Sequence, residues 1–348
     1  MSSEASDGTP DRVVIAPGTY TDPNSILPGG ADTLTVEGAG RGGAADPGAT
    51  RLTTSSVLYV FVVDLTASST RQITMRDLTV VVPATLADNG GAAVQIRGDT
   101  LERVDLEIAN PGSDGLPSAP GGGSYREGTI YAVGSGVLGK AIATGTPEAP
   151  GQLSVEGARI VEPTKGIASE EAGLPVSVER TVVERPAEIG LWAWNGGEID
   201  AHNSVIVVDG AATALEARTN TAEDSSANGD HLTIVQESAA TGTGVTSWAE
   251  SSGEADLLLE NSIVRGFGSP FVRLGSSAPA DLTIRYSNLE PDGTDLAMGT
   301  LDLATGNLDA DPLFAAPLPY AAPADLALLA GSPSVDAGDP APGGLIED

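Results

Sequence analysis

Residues 153–160 read Leu153-Ser-Val-Glu-Gly-Ala-Arg-Ile160, and residues 176–183 read Val176-Ser-Val-Glu-Arg-Thr-Val-Val183. Both follow one eight-residue frame, with apolar first, third and eighth positions and a small sixth position. The frame returns at Ile73-Thr-Met-Arg-Asp-Leu-Thr-Val80, Leu101 to Ile108, Ile199-Asp-Ala-His-Asn-Ser-Val-Ile206, Asn228 to Val235, Leu257-Leu-Leu-Glu-Asn-Ser-Ile-Val264 and Leu282 to Leu289. Alternation with period two means strand rather than helix. The starts are 28, 52, 23, 23, 29, 29 and 25 residues apart. Short strands at such spacing, separated by Gly-rich turns, specify an all-β solenoid whose coils stack on one another. Strand spacing of ~4.8 Å makes about nine or ten coils a rod roughly 45 Å long.

A second strand follows each later frame: Ile167-Ala-Ser-Glu170, Leu191-Trp-Ala-Trp194, Leu215-Glu-Ala-Arg218, Val245-Thr-Ser-Trp248 and Phe271-Val-Arg-Leu274. Val94-Gln-Ile-Arg97 and Ile130-Tyr-Ala-Val133 read as earlier copies. Alternation turns the first and third residues of each copy inward and the second and fourth outward.

Composition agrees with this reading. Gly (44) and Pro (24) are abundant among 348 residues and aromatics are 4%, which disfavours a large helical protein. Apolar residues at 40% are too many for disorder. The net charge of −31 repels nucleic acid and anionic lipid. No cysteine is present, so disulfides and thiolate sites are excluded. The longest apolar run, Val57 to Val63, is too short to span a bilayer. The first residues lack a basic and apolar leader, so the expected secreted or cell-surface location rests on fold type and not on a signal.

Val13-Val-Ile-Ala-Pro-Gly-Thr-Tyr20 resembles the first coil of the right-handed parallel β-helix, or pectin-lyase-like, superfamily, and Glu260-Asn-Ser-Ile-Val264 resembles its internal repeat. The resemblance covers roughly residues 12–310 and extends to bacterial surface and secreted β-helix repeat proteins. It implies three parallel sheets, with the frame holding the second and third and the Leu191-type strand in the first. In many enzymes of the superfamily, substrate lies over that first sheet. The Asp pair with a following Gly-His of polygalacturonases is absent, as is the Lys/Arg base beside an Asp cluster of calcium-dependent pectate lyases. Residues 1–310 form the expected β-helix domain. Residues 311–348, with Asp309-Ala-Asp-Pro-Leu-Phe314 leading into them, resemble a capping tail over the last coil; Asp336 and Asp339 as calcium ligands is the lesser reading.

The outward positions of the Leu191-type strand collect Trp192, Trp194 and Trp248, the three tryptophans of the chain, with Tyr131 and Arg97 expected on the same face. Flat aromatic rings suit the C–H faces of sugars, and Arg97, Glu216 and Arg218 offer hydrogen bonds to hydroxyls. A packing reading stands beside this one: Trp194, Arg218 and Trp248 on successive rungs form a cation–π ladder. The 52-residue interval reads as one coil with insertions at 110–128 and 134–151, which would wall a groove or be surface loops. Glu170 and Glu216, with Arg218, are the candidate catalytic groups if the face cleaves glycosides. The fourth frame position places His202 and His231 on neighbouring rungs between Glu179 and Glu260, a candidate divalent-metal set, zinc-like or calcium, or else an exposed charge ladder. The function expected is polysaccharide binding on an aromatic face; the alternatives are a polysaccharide lyase or glycoside hydrolase, and a structural or adhesive rod.

Overall fold

The computed structural model describes residues 9–21, 33–53, 59–62, 72–84, 92–96, 98–110, 112–118, 122–134, 138–144, 151–170, 174–238, 241–315 and 326–339. These residues form an all-β parallel solenoid of about nine turns, with no helix among them. Each regular coil contributes three strands. Val176–Glu179, Val182–Glu184 and Ile189–Trp194 make one coil, and each pairs in parallel with its counterpart one coil on. We call the three resulting faces the entry sheet, the return sheet and the tryptophan sheet. No helix among the described residues is long and apolar enough to cross a membrane.

The strand register gives frame starts at Ile73, Asp99, Gly123, Leu153, Val176, Ile199, Ala227, Leu257 and Leu282. Three of these differ from the sequence reading. The copy at 101 begins two residues earlier, at Asp99, whose carboxylate accepts the Ile73 N–H at 2.8 Å in the position an apolar residue usually fills. The 52-residue interval is two ordinary coils, because Gly123 to Ile130 is a further frame copy. It escapes the apolar pattern because one large residue replaces several small ones. Tyr125 is fully buried and its hydroxyl donates to Val104 O at 2.9 Å, in space left by Gly128, where a Cβ would meet the phenol oxygen at 2.4 Å. The copy at 228 begins one residue earlier, at Ala227.

The corner between entry and return strands explains the frame. Its fifth position has positive φ in coil after coil, as at Arg180 (46°), Asn203 (48°), His231 (53°), Asn261 (49°) and Tyr286 (51°). One left-handed residue between two strands turns the chain sharply, and its strain is offset where the column is pinned. Asn203 Nδ2 donates to Glu179 Oε1 at 3.0 Å and Asn261 Nδ2 to Asp230 Oδ1 at 2.8 Å, each one coil back. The turn also leaves the sixth-position N–H without a strand partner. A hydroxyl one coil on accepts it: Thr181 N–H to Ser204 Oγ at 3.0 Å, Leu232 N–H to Ser262 Oγ at 3.0 Å and Ser262 N–H to Ser287 Oγ at 3.1 Å. The small sixth residue is therefore a hydrogen-bonding requirement as much as a steric one.

The interior is a continuous column of buried apolar side chains. Ile160, Val183, Ile206, Ile234 and Val264 stack as successive partners in the return sheet, and Ile167, Leu191, Leu215, Val245 and Phe271 in the tryptophan sheet. Phe314 and Leu328 pack with Val205, Val207, Val235 and Ile263 on the outer side of the return sheet, so this part is a strap along the rod. Asp339 N–H donates to Asn261 Oδ1 at 2.7 Å, tying the strap to the turn column. Those outward valines and Ile263 are apolar because the strap covers them.

Candidate functional site

Two outward columns run along the tryptophan sheet. Ala168, Trp192, Glu216, Thr246 and Val272 are successive register partners, and so are Glu170, Trp194, Arg218, Trp248, Leu274 and Leu296. The small residues Gly166, Gly190 and Gly244 set the start of these strands: a Cβ at Gly190 would lie 2.6 Å from Ala214 O and 2.8 Å from an Ile206 methyl. The chain can bend into the strand only where that atom is missing or accommodated.

Trp194 and Trp248 are half-buried, but Trp192 is only 6% exposed, which corrects the expectation of three solvent-facing rings. Outward side chains on rungs ~4.8 Å apart can cover one another. Trp194 stacks on Trp192 with ring centroids 5.0 Å apart and planes 19° from parallel. Lys165 Nζ lies 3.7 Å from the centre of the Trp192 ring, and Ala143, Ala168 and Ile189 pack around it. One rung further, the Arg218 guanidinium sits 3.7 Å from the centre of the Trp248 ring.

The polar groups of this face are interlocked. Arg218 Nη2 donates to Glu250 Oε1 at 2.7 Å, while Arg218 Nη1 stands 3.9 Å from Glu216 Oε1. Glu216 is 5% exposed. Loss of water pushes its carboxyl up to about 7, against the opposing pull of Arg218, the Trp192 N–H and Lys165. Trp192 Nε1, Glu216 Oε1 and Arg218 Nε are all buried without a hydrogen-bonding partner. Glu170 is held by Lys140 Nζ in an ion pair. Lys140 and Lys165, the two lysines of the chain, are register partners on this sheet.

Sequence reasoning missed Lys165 and Glu250. The rarity of lysine, with both copies close to a Leu191-type strand, was the available signal for the first. Glu250 lies just beyond its strand, where the period-two pattern has ended.

Comparison with family models, curated proteins and solved structures finds no match for this chain.

The other site residues fall elsewhere. Tyr131 belongs to the return sheet, with Ile130 opposite Ile160 and Leu106, and its hydroxyl donates to Glu107 Oε2 at 3.1 Å. It is therefore not on the tryptophan face: Leu138–Thr144 is the strand that holds that coil's place there. Arg97 lies outside the described residues.

The two histidines are not rung neighbours. The one-residue shift at Ala227 puts Asp230 opposite His202 and moves His231 to the left-handed corner. His202 Nε2 is 3.1 Å from Asp200 Oδ1, and His231 Nδ1 is 3.0 Å from Asp230 Oδ1. Glu179 is taken by Asn203 and Glu260 by Arg285. Among the described residues no three His, Asp or Glu side chains are arranged to hold a metal ion. The register thus withdraws the geometric basis for a His202–His231 metal set.

Proposed function

We propose that this protein binds a neutral or weakly charged polysaccharide along the outer column Trp194, Arg218, Trp248 and Leu274, outside the cell or at its surface. The observation that carries this reading is that two half-buried indoles stand two rungs apart in one column, each held by a neighbour: Trp194 by Trp192, and Trp248 by Arg218. Rings already fixed in place lose little rotamer freedom when a ligand docks. Their flat faces complement the C–H faces of sugar rings, and Arg218 and Glu250 supply a donor and an acceptor for hydroxyls.

Charge supports the choice of ligand. Lys140, Lys165 and Arg218 stand here against Glu170, Glu188, Glu216 and Glu250, so this face is nearly balanced. The rest of a chain of net charge −31 repels polyanions, nucleic acid included. A pectin-lyase-like ancestry, in which glycans lie over the equivalent sheet, is the family reading that accompanies this proposal. A glycan array followed by calorimetry tests it. Binding of a neutral glycan that is lost in the Trp194→Ala, Trp248→Ala double variant is the expected result, and an array without a hit on wild-type protein overturns it.

One observation favours a second reading, glycan cleavage. A carboxyl pushed up to about 7, as at Glu216, has the protonation a general acid needs near neutrality. Glu170, two rungs away and paired with Lys140, would be its partner carboxylate, with Arg218 as the neighbouring cation. Turnover in a polysaccharide panel that disappears in Glu216→Gln and Glu170→Gln supports this reading, and full activity in both removes them.

A further inference from the structure

Arg218 stands between two carboxyls. Glu216 lies two residues before it on the same strand, and Glu250 lies two residues after Trp248, the register partner of Arg218 one rung on. The guanidinium is committed to one side. Nη2 donates to Glu250 Oε1 at 2.7 Å and Cζ lies 3.7 Å from the centre of the Trp248 ring, whereas Nη1 stays 3.9 Å from Glu216 Oε1. Among the described residues, neither Glu216 Oε1 nor Arg218 Nε has a hydrogen-bonding partner. A charge-assisted N–H···O bond spans ~2.8 Å, so a shift of about 1 Å, directed away from Glu250, would bring Arg218 onto Glu216.

The charge on Glu216 decides which acid holds the guanidinium. Glu216 is 5% exposed, and a carboxylate so buried needs a paired cation. The charged groups around it are Arg218 on its own strand, Lys165 two rungs back and Glu250 one coil on; its register partners Trp192 and Thr246 carry no charge. Lys165 Nζ is held 3.7 Å from the centre of the Trp192 ring and 3.8 Å from Glu188. Arg218 is thus the cation placed to answer ionisation. Loss of water lifts the Glu216 carboxyl to about 7, so the change of charge falls near neutrality.

We propose that Arg218 is a proton-operated clamp: beside a neutral Glu216 it holds Trp248 and Glu250, and beside an ionised Glu216 it turns to that carboxylate and releases both. The arrangement described above is the acid form. The consequence for binding rests on the glycan reading. Trp248 held by Arg218 is a platform fixed in advance, and a released ring must be ordered again when a sugar docks. Glycan affinity therefore falls as pH rises through about 7. By linkage, bound glycan favours the proton on Glu216 to the same degree.

The three indole N–H resonances of the full chain, assigned through Trp→Phe variants and followed by NMR from pH 5 to pH 9, test the clamp without a ligand. Trp192, the register partner of Glu216, reports ionisation; Trp248, against Arg218, reports movement. Both should shift with one midpoint near pH 7, and neither should do so in Glu216→Gln. In Arg218→Gln, Trp192 should titrate at higher pH while Trp248 stays still. Circular dichroism checks the fold of each variant. Absence of any titration, a Trp248 signal that stays still while Trp192 titrates, or a Trp248 shift that persists in Glu216→Gln would overturn the clamp. Calorimetry with a neutral glycan taken from the array tests the consequence. Affinity should be about fivefold weaker at pH 8.5 than at pH 5.5, and equal at both in Glu216→Gln. Equal wild-type affinities would overturn the coupling to binding. A chain that binds no glycan would overturn the function proposed above, with the clamp then decided by the resonances alone.

Discussion

Trp192 and Glu216 are register partners on adjacent rungs of the tryptophan sheet, and each buries a polar atom that no hydrogen bond satisfies. The pair sits on the outside of the solenoid, separate from the apolar core, and is nevertheless buried. Trp192, itself stacked on Trp194, and Arg218 flank the buried carboxyl. Stability, proton affinity and the geometry of the proposed binding face are therefore linked at one point.

The first prediction is a pH dependence. Glu216 binds its proton more tightly in the folded than in the unfolded chain, so stability is fully retained below the usual glutamate range and falls as pH rises from about 4.5 through about 7. The difference amounts to about 3 kcal/mol at most. Glu216→Gln should leave denaturant stability at pH 4 nearly unchanged and raise it at pH 8. Parallel curves for wild type and variant across that range would show that Glu216 does not titrate as inferred.

The tryptophans should separate by role. Trp192→Ala empties a covered position beneath Trp194 and should cost about 3 kcal/mol, as for other buried aromatic truncations. Trp194→Ala and Trp248→Ala remove half-buried rings and should each cost about 1 kcal/mol. Urea midpoints measure the order, and a Trp192 variant as stable as the other two would contradict it.

The strap along the return sheet gives a third prediction. Phe314 covers Val207 and Val235 and is itself 8% exposed. Phe314→Ala should loosen residues 311–315 and 326–339 while the coils stay folded. Limited proteolysis followed by mass spectrometry should find faster cleavage within the strap and an intact core fragment. Unchanged cleavage would show that the strap is held by its hydrogen bonds alone.

Salt should stabilise the folded chain. Many arginines are already committed to acids on nearby coils, such as Arg159 with Glu184 one coil on at 2.9 Å and Arg185 with Glu237 two coils on at 2.8 Å. Exposed pairs of this kind contribute little each, so screening them costs little. The surplus of acids repels itself, and screening that repulsion favours the compact state. The melting temperature should rise by several degrees between low salt and about 1 M salt. A fall would mean that the ion-pair ladders outweigh the net charge.

The solenoid was legible in the sequence because its cause is local and repeated. Alternation at Leu153, Val176, Ile199 and Leu257 requires one buried face per strand, and a spacing near 26 residues leaves stacking as the way to bury it. The outward columns from Trp192 to Leu274 followed from the same alternation. Tertiary structure decided what one residue of register changes. Ala227, not Asn228, opens its frame, so His231 turns a corner instead of joining His202. Gly123 and Tyr125 carry a coil that apolar counting overlooks, since a single tyrosine fills the volume of several aliphatic groups. Burial of Trp192 depends on Lys165 and Trp194 folding over it, and Val207 and Val235 are outward yet apolar because Phe314 lies upon them. A pattern along the chain specifies which way a side chain points; only the assembled neighbours determine what covers it, because covering residues come from other coils and from a tail far away in sequence.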